Sequence, residues 1–379
     1  MDLPKRLWTA LLVLLVMGTL GWTVAETVGL EKLASQRAYR VFKRLAAGDP
    51  TVGRAIEHDF ANGFPVSQRL RTVKGWVDWS LFRVSPVAEV YVGKDGWLFY
   101  RPELDDYEKR ACGQAESMRV LAKDLQRIER IVESSGRRFL LTIAPNKSTI
   151  YPEYVGGIPQ ISNSCGKSRY DLLLESFREY PVTNFIRLDD RLRVKKRDSQ
   201  VYYRTDTHWN PEGAGILVEE LLLRILLADA PTSVVRSPFT NVGDLGTMMG
   251  LTFPESTLAP IPPDAPGRYA IDSYGSPRIN HVRSQRLPGD NLPQIPATVL
   301  FHDSFMILPS FLLAGRFEEL DGYWVWGKLK TIPAPRSEEA LRHARLVIIE
   351  IVERDLGNVR LSPETFRRVL ADSDLGNSG

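Results

Sequence analysis

A nearly continuous apolar run close to the carboxyl end of the chain most constrains its fold. Residues 346–352 read Leu-Val-Ile-Ile-Glu-Ile-Val, which suits a strand buried on both faces of a parallel sheet. Shorter runs at 139–143 and 298–301 have the same character, and segments with helical apolar spacing lie at 114–135 and 211–228. Strands that alternate with helices in this way predict an α/β fold with helices on both faces of the sheet.

Two other segments complete the coarse fold prediction. Strand-like runs at 89–92 and 97–100 flank Gly93 and Gly96, and this pattern predicts a β-hairpin. From 258 to 294 a Pro-rich stretch is followed by a polar segment, and together they are predicted to form a long excursion near the functional site.

The amino-terminal segment predicts the compartment. Lys5 and Arg6 precede an uncharged, mostly apolar run at 7–25, about as long as a bilayer core requires. Positive charge on the short leading side predicts that this side stays in the cytoplasm and that the rest is exported. We expect a periplasmic protein, held at the inner membrane by a retained signal anchor or, alternatively, cleaved after 23–25 and soluble there.

The predicted domain organisation follows from these segments. It comprises a signal anchor or transmembrane segment (1–27), a juxtamembrane helical region (28–87), one α/β domain (88–371) and a disordered tail (372–379).

Charge and cysteine content limit the function classes. A net charge of +3, from 49 basic and 46 acidic residues, is too small to indicate nucleic-acid binding. The densest basic cluster, 191–197, is either a solvated surface segment or a contact for an anionic glycan or lipid headgroup. Cys112 and Cys165 are predicted to form a disulfide in an oxidising compartment, with free buried thiols as the alternative. No metal site is predicted, because no histidine pair accompanies them at ligand spacing.

Two short motifs together supply a serine, an imidazole and a carboxylate. They are Asp-Thr-His-Trp at 206–209 and His-Asp-Ser-Phe at 302–305. A serine hydroxyl is a weak nucleophile unless an imidazole accepts its proton and a carboxylate holds the imidazole. Ser304 follows the apolar run 298–301 and precedes a helix-like stretch at 305–313. It is therefore predicted to lie at a strand-to-helix turn, where α/β sheets bind their ligands.

The first motif precedes a predicted helix start, with Asn210 as N-cap and Pro211 in the first turn. In an extended segment, residues two apart leave the same face, so Asp206 and His208 are predicted to face one pocket. The alternative is that the second motif only caps its helix and that the first is a turn with a packed histidine. The presence of both motifs in one chain favours catalysis.

Further motifs carry a resemblance to a known family. They are Val-Gly-Lys-Asp-Gly-Trp-Leu-Phe-Tyr at 92–100, Ala-Pro-Asn-Lys-Ser-Thr-Ile-Tyr-Pro-Glu at 144–153 and Ile-Val-Glu-Arg at 351–354. With the two motifs above, they resemble the AlgJ/AlgX-type polysaccharide (alginate) O-acetyltransferases over residues 88–356. The catalytic domain of that family is SGNH hydrolase-like, which implies a flavodoxin-like sheet.

The resemblance implies a role for each member of the serine, histidine and aspartate set. Ser304 is the implied nucleophile, His208 the general base and Asp206 the residue that orients the imidazole. In ordinary SGNH esterases the serine motif comes first in the chain. The reversed order here resembles a circular permutation, and triads are defined by geometry rather than by order.

An acyl-transfer intermediate carries an oxyanion that needs N–H donors. The Ser304 N–H is one expected donor, and a second is expected at Asn146 or Lys147, unless these two form only a polar loop after a strand. Trp209 is predicted to contribute to oxyanion or substrate binding. The segment 243–246, Gly-Asp-Leu-Gly, resembles the start of a serine motif but lacks the serine. It is predicted to be a turn, with a segment that lines the site as the alternative.

By resemblance, the expected activity is transfer of an acetyl group, through a serine acyl intermediate, to hydroxyls of an exported polysaccharide. No cofactor is expected. The implied partner is a membrane-bound O-acyltransferase that delivers acetyl groups across the membrane. The alternatives are a polysaccharide acetylesterase that uses the same three residues, or a non-catalytic subunit that binds glycan or assists assembly.

Overall fold

A computed structural model of the chain describes residues 75–104, 111–156, 167–226, 235–261, 269–273, 279–284, 293–325, 330–334 and 337–371. The predicted signal anchor, most of the juxtamembrane region, Cys165 and the tail lie outside these residues. The disulfide between Cys112 and Cys165 therefore stays a prediction. Within the described ranges, no helix has both the length and the apolarity needed to cross a membrane.

Strands and helices are named here in chain order. The strands are β1 Val90–Val92, β2 Leu98–Tyr100, β3 Arg138–Ala144, β4 Phe185–Ile186, β5 Val235–Val242, β6 Pro254–Ile261, β7 Tyr269–Ser273, β8 Ile279–Ser284, β9 Thr298–His302, β10 Glu319–Trp324, β11 Lys330–Ile332, β12 Leu346–Val352 and β13 Val359–Leu361. The helices are α1 Ala115–Ser134, α2 Lys147–Ile150, α3 Pro152–Val155, α4 Arg169–Ser176, α5 Asp189–Lys195, α6 Pro211–Leu226, α7 Asp244–Met248, α8 Ile307–Leu313, α9 Glu338–His343 and α10 Pro363–Ala371.

The central sheet has the order β4-β3-β12-β9-β10-β8-β7. From β4 to β10 neighbouring strands are parallel, whereas β8 and β7 add an antiparallel edge. The parallel strands can be numbered 1 to 5 in the order β9, β10, β12, β3 and β4. Read across the sheet from β10 to β4, their order is then 2-1-3-4-5, which is the flavodoxin-like order. The predicted α/β fold and its circular permutation are confirmed.

Strand β12 shows why helices cover both faces of this sheet. All of its residues are buried, and successive side chains of a strand point to opposite faces. On one face Leu346 and Ile348 join a cluster with buried residues of α5, α6 and α8. On the other face Val347 and Ile349 join a cluster with α1, α4 and α10. The continuous apolar run is therefore explained by burial on two sides.

The predicted hairpin is confirmed, because β1 and β2 pair antiparallel with Val90 opposite Tyr100. The Leu98 N–H also donates to the Arg204 carbonyl over 2.9 Å, which ties the hairpin to the segment before the first motif. The prediction of a plain excursion at 258–294 is wrong in part. Strand β6 pairs with β5, and β7 and β8 extend the sheet. Edge strands pair through main-chain hydrogen bonds, so their sequence needs no apolar run.

The basic cluster 191–197 lies mainly on α5 and is paired with acidic residues of α6. Arg191 forms ion pairs with Glu219, at 3.1 Å, and with Glu220, while Lys195 pairs with Glu212 at 3.0 Å. Exposed pairs of this kind contribute about 0–1 kcal/mol each. This pairing favours the surface-segment alternative for the cluster.

Candidate active site

Ser304, His208 and Asp206 form one continuous hydrogen-bonded chain. The Ser304 hydroxyl oxygen lies 2.8 Å from His208 Nε2, and His208 Nδ1 lies 2.7 Å from Asp206 Oδ1. An ionised carboxylate only accepts hydrogen bonds, so Nδ1 carries the imidazole proton and Nε2 is free to accept from the serine. This is the arrangement of a Ser-His-Asp triad.

Asp206 is held as a carboxylate by several donors. Its Oδ1 also accepts the His208 N–H over 2.9 Å, and its Oδ2 accepts from Asn241 Nδ2 over 3.0 Å and from the Asp244 N–H over 3.2 Å. Burial alone would raise the pKa of the Asp206 carboxyl. The hydrogen bonds and charge of His208, with the Asn241 amide, outweigh burial and hold this pKa well below its usual range.

Ser304 lies at the predicted strand-to-helix turn. Strand β9 ends at His302, a 3-10 turn covers Ser304–Met306, and α8 follows. Asp303 caps this turn, because its Oδ1 accepts the Phe305 N–H over 2.9 Å. Its Oδ2 accepts the Val352 N–H over 2.9 Å and so joins the turn to the end of β12. The capping role that sequence left open belongs to Asp303, and the Ser304 hydroxyl remains available to His208.

The turn occupies the switch point of the sheet. Strands β9 and β12 are neighbours, yet they are the first and third strands of the flavodoxin-like order. Ligands of open α/β sheets bind outside the carboxyl ends of the strands at such a point. Ser304 therefore lies where this fold leaves a crevice.

The segment that carries Asp206 and His208 is not extended, contrary to the sequence prediction. Residues 204–208 form a bend closed by a bridge between Tyr202 and Trp209. Both side chains meet because Asp206 Oδ1 accepts two bonds from His208, not because they share a strand face. Below we call residues 203–208 the histidine loop.

The helix start after the loop is confirmed. Asn210 Oδ1 accepts the N–H groups of Glu212 and Gly213 over 3.0 and 3.1 Å, and Pro211 is the first residue of α6. This cap fixes the carboxyl end of the histidine loop.

Two acidic residues hold the histidine loop in place through hydrogen bonds, and the sequence analysis did not assign them to the site. Asp244 accepts the Thr207 N–H over 2.8 Å and the Thr207 hydroxyl over 2.6 Å. Glu255 accepts the Arg204 N–H over 2.9 Å, the Thr205 N–H over 2.8 Å and the Thr205 hydroxyl over 2.6 Å.

The sequence signal for the contacts of Asp244 was the Gly-Asp-Leu-Gly segment, predicted as a turn with lining of the site as the alternative. It begins α7 against the histidine loop. A Cβ on Gly243 would lie 2.1 Å from the Thr205 carbonyl oxygen, so only glycine permits this approach.

Asn146, one of the two residues predicted to supply a second oxyanion donor, is buried just after the carboxyl end of β3. Its N–H donates to Glu353 Oε2 over 2.8 Å, and its Oδ1 accepts the Arg354 N–H over 3.2 Å. The bond to Oδ1 orients the side-chain amide, whose Nδ2 has no hydrogen-bond partner among the described residues. The Ser304 N–H likewise makes no hydrogen bond within the described part of the chain.

The side chain of Lys147 serves the histidine loop and is not aimed at an oxyanion. It is 0% exposed, and its Nζ donates to the carbonyl oxygens of Tyr203, Arg204 and Asp206 over 3.3, 3.1 and 2.6 Å. An ammonium has three N–H donors, so all of them have partners.

Trp209, predicted to contribute to oxyanion or substrate binding, is buried and presents almost no surface to a ligand. It is 1% exposed, and its Nε1–H donates to the Phe305 carbonyl over 3.0 Å. Its ring meets the Phe305 ring edge to face at 5.1 Å, and Phe305 also lies 4.9 Å from the His208 ring. Trp209 therefore joins the two motifs behind the triad.

Asp206, His208 and Asp244 are close enough for their donor atoms to lie within 4.8 Å of one another. The imidazole Nδ1 and the Asp206 carboxylate already face each other in a hydrogen bond, however, and both Asp244 oxygens bond Thr207. The donor set fits a triad with an acidic neighbour better than a metal centre.

Comparison with known proteins agrees with this fold. Residues 90–273 match the family described as "SGNH hydrolase-like domain, acetyltransferase AlgX". The matched range includes Asp206 and His208 and ends before Ser304. This part of the chain is therefore similar to the AlgX-type SGNH hydrolase-like domains.

Individual relatives carry related names. The probable alginate O-acetylase AlgJ of Pseudomonas syringae pv. tomato is 27% identical over 218 residues, or 55% of this chain and 53% of the relative. The protein of the same name from Pseudomonas aeruginosa is 25% identical over 242 residues, or 62% and 56%. The chain thus spans about half the length of these curated relatives.

Among solved structures, the O-acetyltransferase domain of Pseudomonas putida AlgJ aligns with a TM-score of 0.49 at 20% identity. The alignment covers 75% of this chain and 99% of that domain.

Proposed function

We propose that this protein is a serine-dependent O-acetyltransferase that acetylates hydroxyl groups of an exported polysaccharide. The observation that carries the proposal is the hydrogen-bonded chain from Ser304 through His208 to Asp206. The AlgX-type family match favours acetyl chemistry at this triad.

The reaction has two half-steps. In the first, the Ser304 oxygen bonds to the acetyl carbonyl carbon while its proton passes to His208 Nε2. The bond to the donor's leaving group then breaks, and His208 returns the proton to that group. In the second, His208 takes the proton of an acceptor hydroxyl, whose oxygen attacks the acetyl-serine and releases Ser304 with its proton restored.

Each tetrahedral intermediate places negative charge on the former carbonyl oxygen. The Ser304 N–H and the Asn146 Nδ2 amide are the proposed donors to it. The support for Asn146 is its orientation, since Oδ1 is held by Arg354 and the amine side is left for another acceptor. A single oxyanion donor contributes about 10²- to 10³-fold to turnover.

The substrate and partners follow by likeness to relatives named alginate O-acetylase. The acceptor is an exported polysaccharide, and a membrane-bound O-acyltransferase supplies the acetyl groups. The proposed acetyl transfer takes place in the periplasm, and residues 1–27 serve as the membrane anchor or as a cleaved signal. Support for this location is the charged and apolar pattern of that segment.

An acetylesterase would use the same residues with water in place of the sugar hydroxyl. A non-catalytic glycan-binding subunit would keep the fold without turnover. The two aligned hydrogen bonds of the triad favour an enzyme, and the family name favours transfer.

Substitution of Ser304 by alanine tests the proposal directly. The measurement is transfer of acetyl from p-nitrophenyl acetate to an oligosaccharide acceptor, with released acetate quantified in parallel. Ser304→Ala should lose at least about 10⁴-fold of both activities while its circular dichroism spectrum is unchanged. Ser134→Ala, which alters an exposed serine at the end of α1, should retain full activity.

The outcomes separate the alternatives. Acetyl found mainly on the glycan supports a transferase, whereas free acetate alone, with acceptor present, indicates an esterase. Full activity in a folded Ser304→Ala protein would eliminate the acyl-serine mechanism.

A further inference from the structure

A buried cation lies beneath the histidine loop and has no part in the reaction scheme above. Lys147 begins α2, and its ammonium binds three loop carbonyls, with the shortest bond to the Asp206 carbonyl at 2.6 Å. The aromatic rings of Phe99 and Trp97 lie 5.2 and 5.9 Å from Nζ. The Lys147 ammonium is therefore surrounded by these carbonyls and rings instead of by water.

The charges that face Lys147 come from four different segments. The buried carboxyl of Glu103 precedes α1, Asp206 lies in the loop, and Asp244 and Glu255 lie on α7 and β6. Burial lowers the pKa of the Lys147 ammonium to about 8, against the opposing pull of these acids. Burial likewise raises the pKa of Glu103, although Lys147 and Arg354 counteract it.

The three carbonyls need a charged lysine. A neutral amine keeps two N–H donors and gains a lone pair, so at least one of the carbonyls loses its donor. The shortest bond belongs to the residue that orients the imidazole. A buried carbonyl without a donor is unfavourable, so the loop is then expected to rearrange.

We propose that Lys147 is a positioning residue whose ammonium holds the histidine loop in its catalytic geometry, so that turnover requires its charge. The proposal rests on the proposed function, because it assumes turnover through the triad. Lys147 is 0% exposed and its ammonium bonds loop carbonyls and not Ser304, so its effect should fall on kcat and leave KM within about twofold.

The pH dependence separates this role from simple stabilisation. In the unfolded chain Lys147 has its ordinary pKa of 10.5, and in the folded protein the pKa is about 8. Between these values the unfolded chain binds a proton that the folded chain has released, so this group makes the free energy of unfolding rise with pH. We therefore expect kcat to fall above about pH 8 while the protein becomes no less stable.

The experiment measures kcat and KM for p-nitrophenyl acetate from pH 6 to 9.5, with the uncatalysed rate subtracted, and the urea unfolding midpoint at each pH. Lys147→Arg keeps a charge that does not titrate in this range. For this variant, the pH at which kcat falls on the alkaline side of the profile (the alkaline limb) should rise by more than one unit, even if kcat at pH 7 is reduced. Lys147→Met should lose about 10²-fold or more in kcat, with KM within twofold.

Lys196→Met is the matched control. The Lys196 ammonium also binds a carbonyl, that of Ile150 at 2.5 Å, and lies 4.6 Å from the Tyr151 ring, but it does not touch the histidine loop. This variant should keep the wild-type kcat and alkaline limb.

Three results would overturn the role of Lys147. They are a wild-type kcat that stays constant to pH 9.5, an Arg variant with an unshifted limb, or a folded Met variant with wild-type kcat. If Lys147→Met does not fold, the wild-type profile and the Arg variant still decide. Ser304→Ala, assayed in parallel, distinguishes a failure here from a failure of the acyl-serine mechanism.

Discussion

The two halves of the triad are positioned by different kinds of structure. Ser304 follows a strand whose residues are all buried in the central sheet, and its turn is capped by main-chain donors to Asp303. The histidine loop belongs to no sheet, and buried or partly buried charged side chains hold it at Lys147, Asp244 and Glu255. The nucleophile is thus placed by regular backbone pairing, and its base by a set of long-range polar contacts.

This difference separates stability from turnover. Apolar packing of the sheet supplies folding free energy at about 25 cal/mol per Å² buried, and it holds Ser304 as a consequence. Charge-assisted bonds to the loop contribute only about 1.5–3 kcal/mol each, but they fix an imidazole that must lie within hydrogen-bond reach of the serine. We expect loop substitutions to lower kcat more than stability and sheet substitutions to do the reverse.

The largest effect on turnover should come from the triad itself, which joins the two halves. Asp206→Asn preserves the shape but favours the wrong imidazole tautomer, and kcat should fall by about 10⁴. Because the three residues serve one proton-transfer step, the triple variant Ser304→Ala, His208→Ala, Asp206→Asn should be scarcely slower than Ser304→Ala. Measured losses that multiply across the three positions would contradict a shared step.

A smaller effect is expected when only the brace of the loop is removed. Asp244→Ala deletes both bonds to Thr207, so the loop should sample other positions and kcat should fall about 10- to 100-fold. The unfolding midpoint in urea should change little, because the Asp244 side chain is about one-third exposed. Asp190→Ala, which alters an exposed carboxylate on α5, should leave kcat unchanged. A folded Asp244→Ala enzyme with full kcat would show that the brace is dispensable.

The same contrast explains what sequence could predict. Strand β12 was read correctly from its apolar run, α6 from its Asn210-Pro211 start, and the Ser304 turn from the run before it, because these signals are local. The triad was found because its three residue types stand in recognisable motifs. Patterns with a short period predict backbone elements well.

The features that the sequence analysis missed or misassigned depend on contacts that no local sequence pattern encodes. Lys147 lies far from Tyr203 in the chain, and Asp244 and Glu255 lie far from the loop they brace. Trp209 was predicted to contribute to oxyanion or substrate binding, but packing against Phe305 buries it. Strands β7 and β8 were missed because edge pairing makes few demands on side chains.

The smallest effect on turnover should come from the core of the sheet. Ile349 is fully buried in β12 beside Phe301 and Leu141, on the face covered by α1. Ile349→Ala leaves a cavity there, and the free energy of unfolding should fall by about 2–5 kcal/mol. Val120→Ala, at an exposed position of α1, should change it by less than about 0.5 kcal/mol.

For the protein that remains folded, the kcat of Ile349→Ala should stay within twofold of wild type, because the main-chain ladder that places Ser304 is intact. The measurements are urea unfolding curves and kcat at a temperature well below the transition. A tenfold loss of kcat in the folded variant would mean that side-chain packing beneath the sheet sets the serine position. The division between a sheet that stabilises and a loop that tunes turnover would then fail.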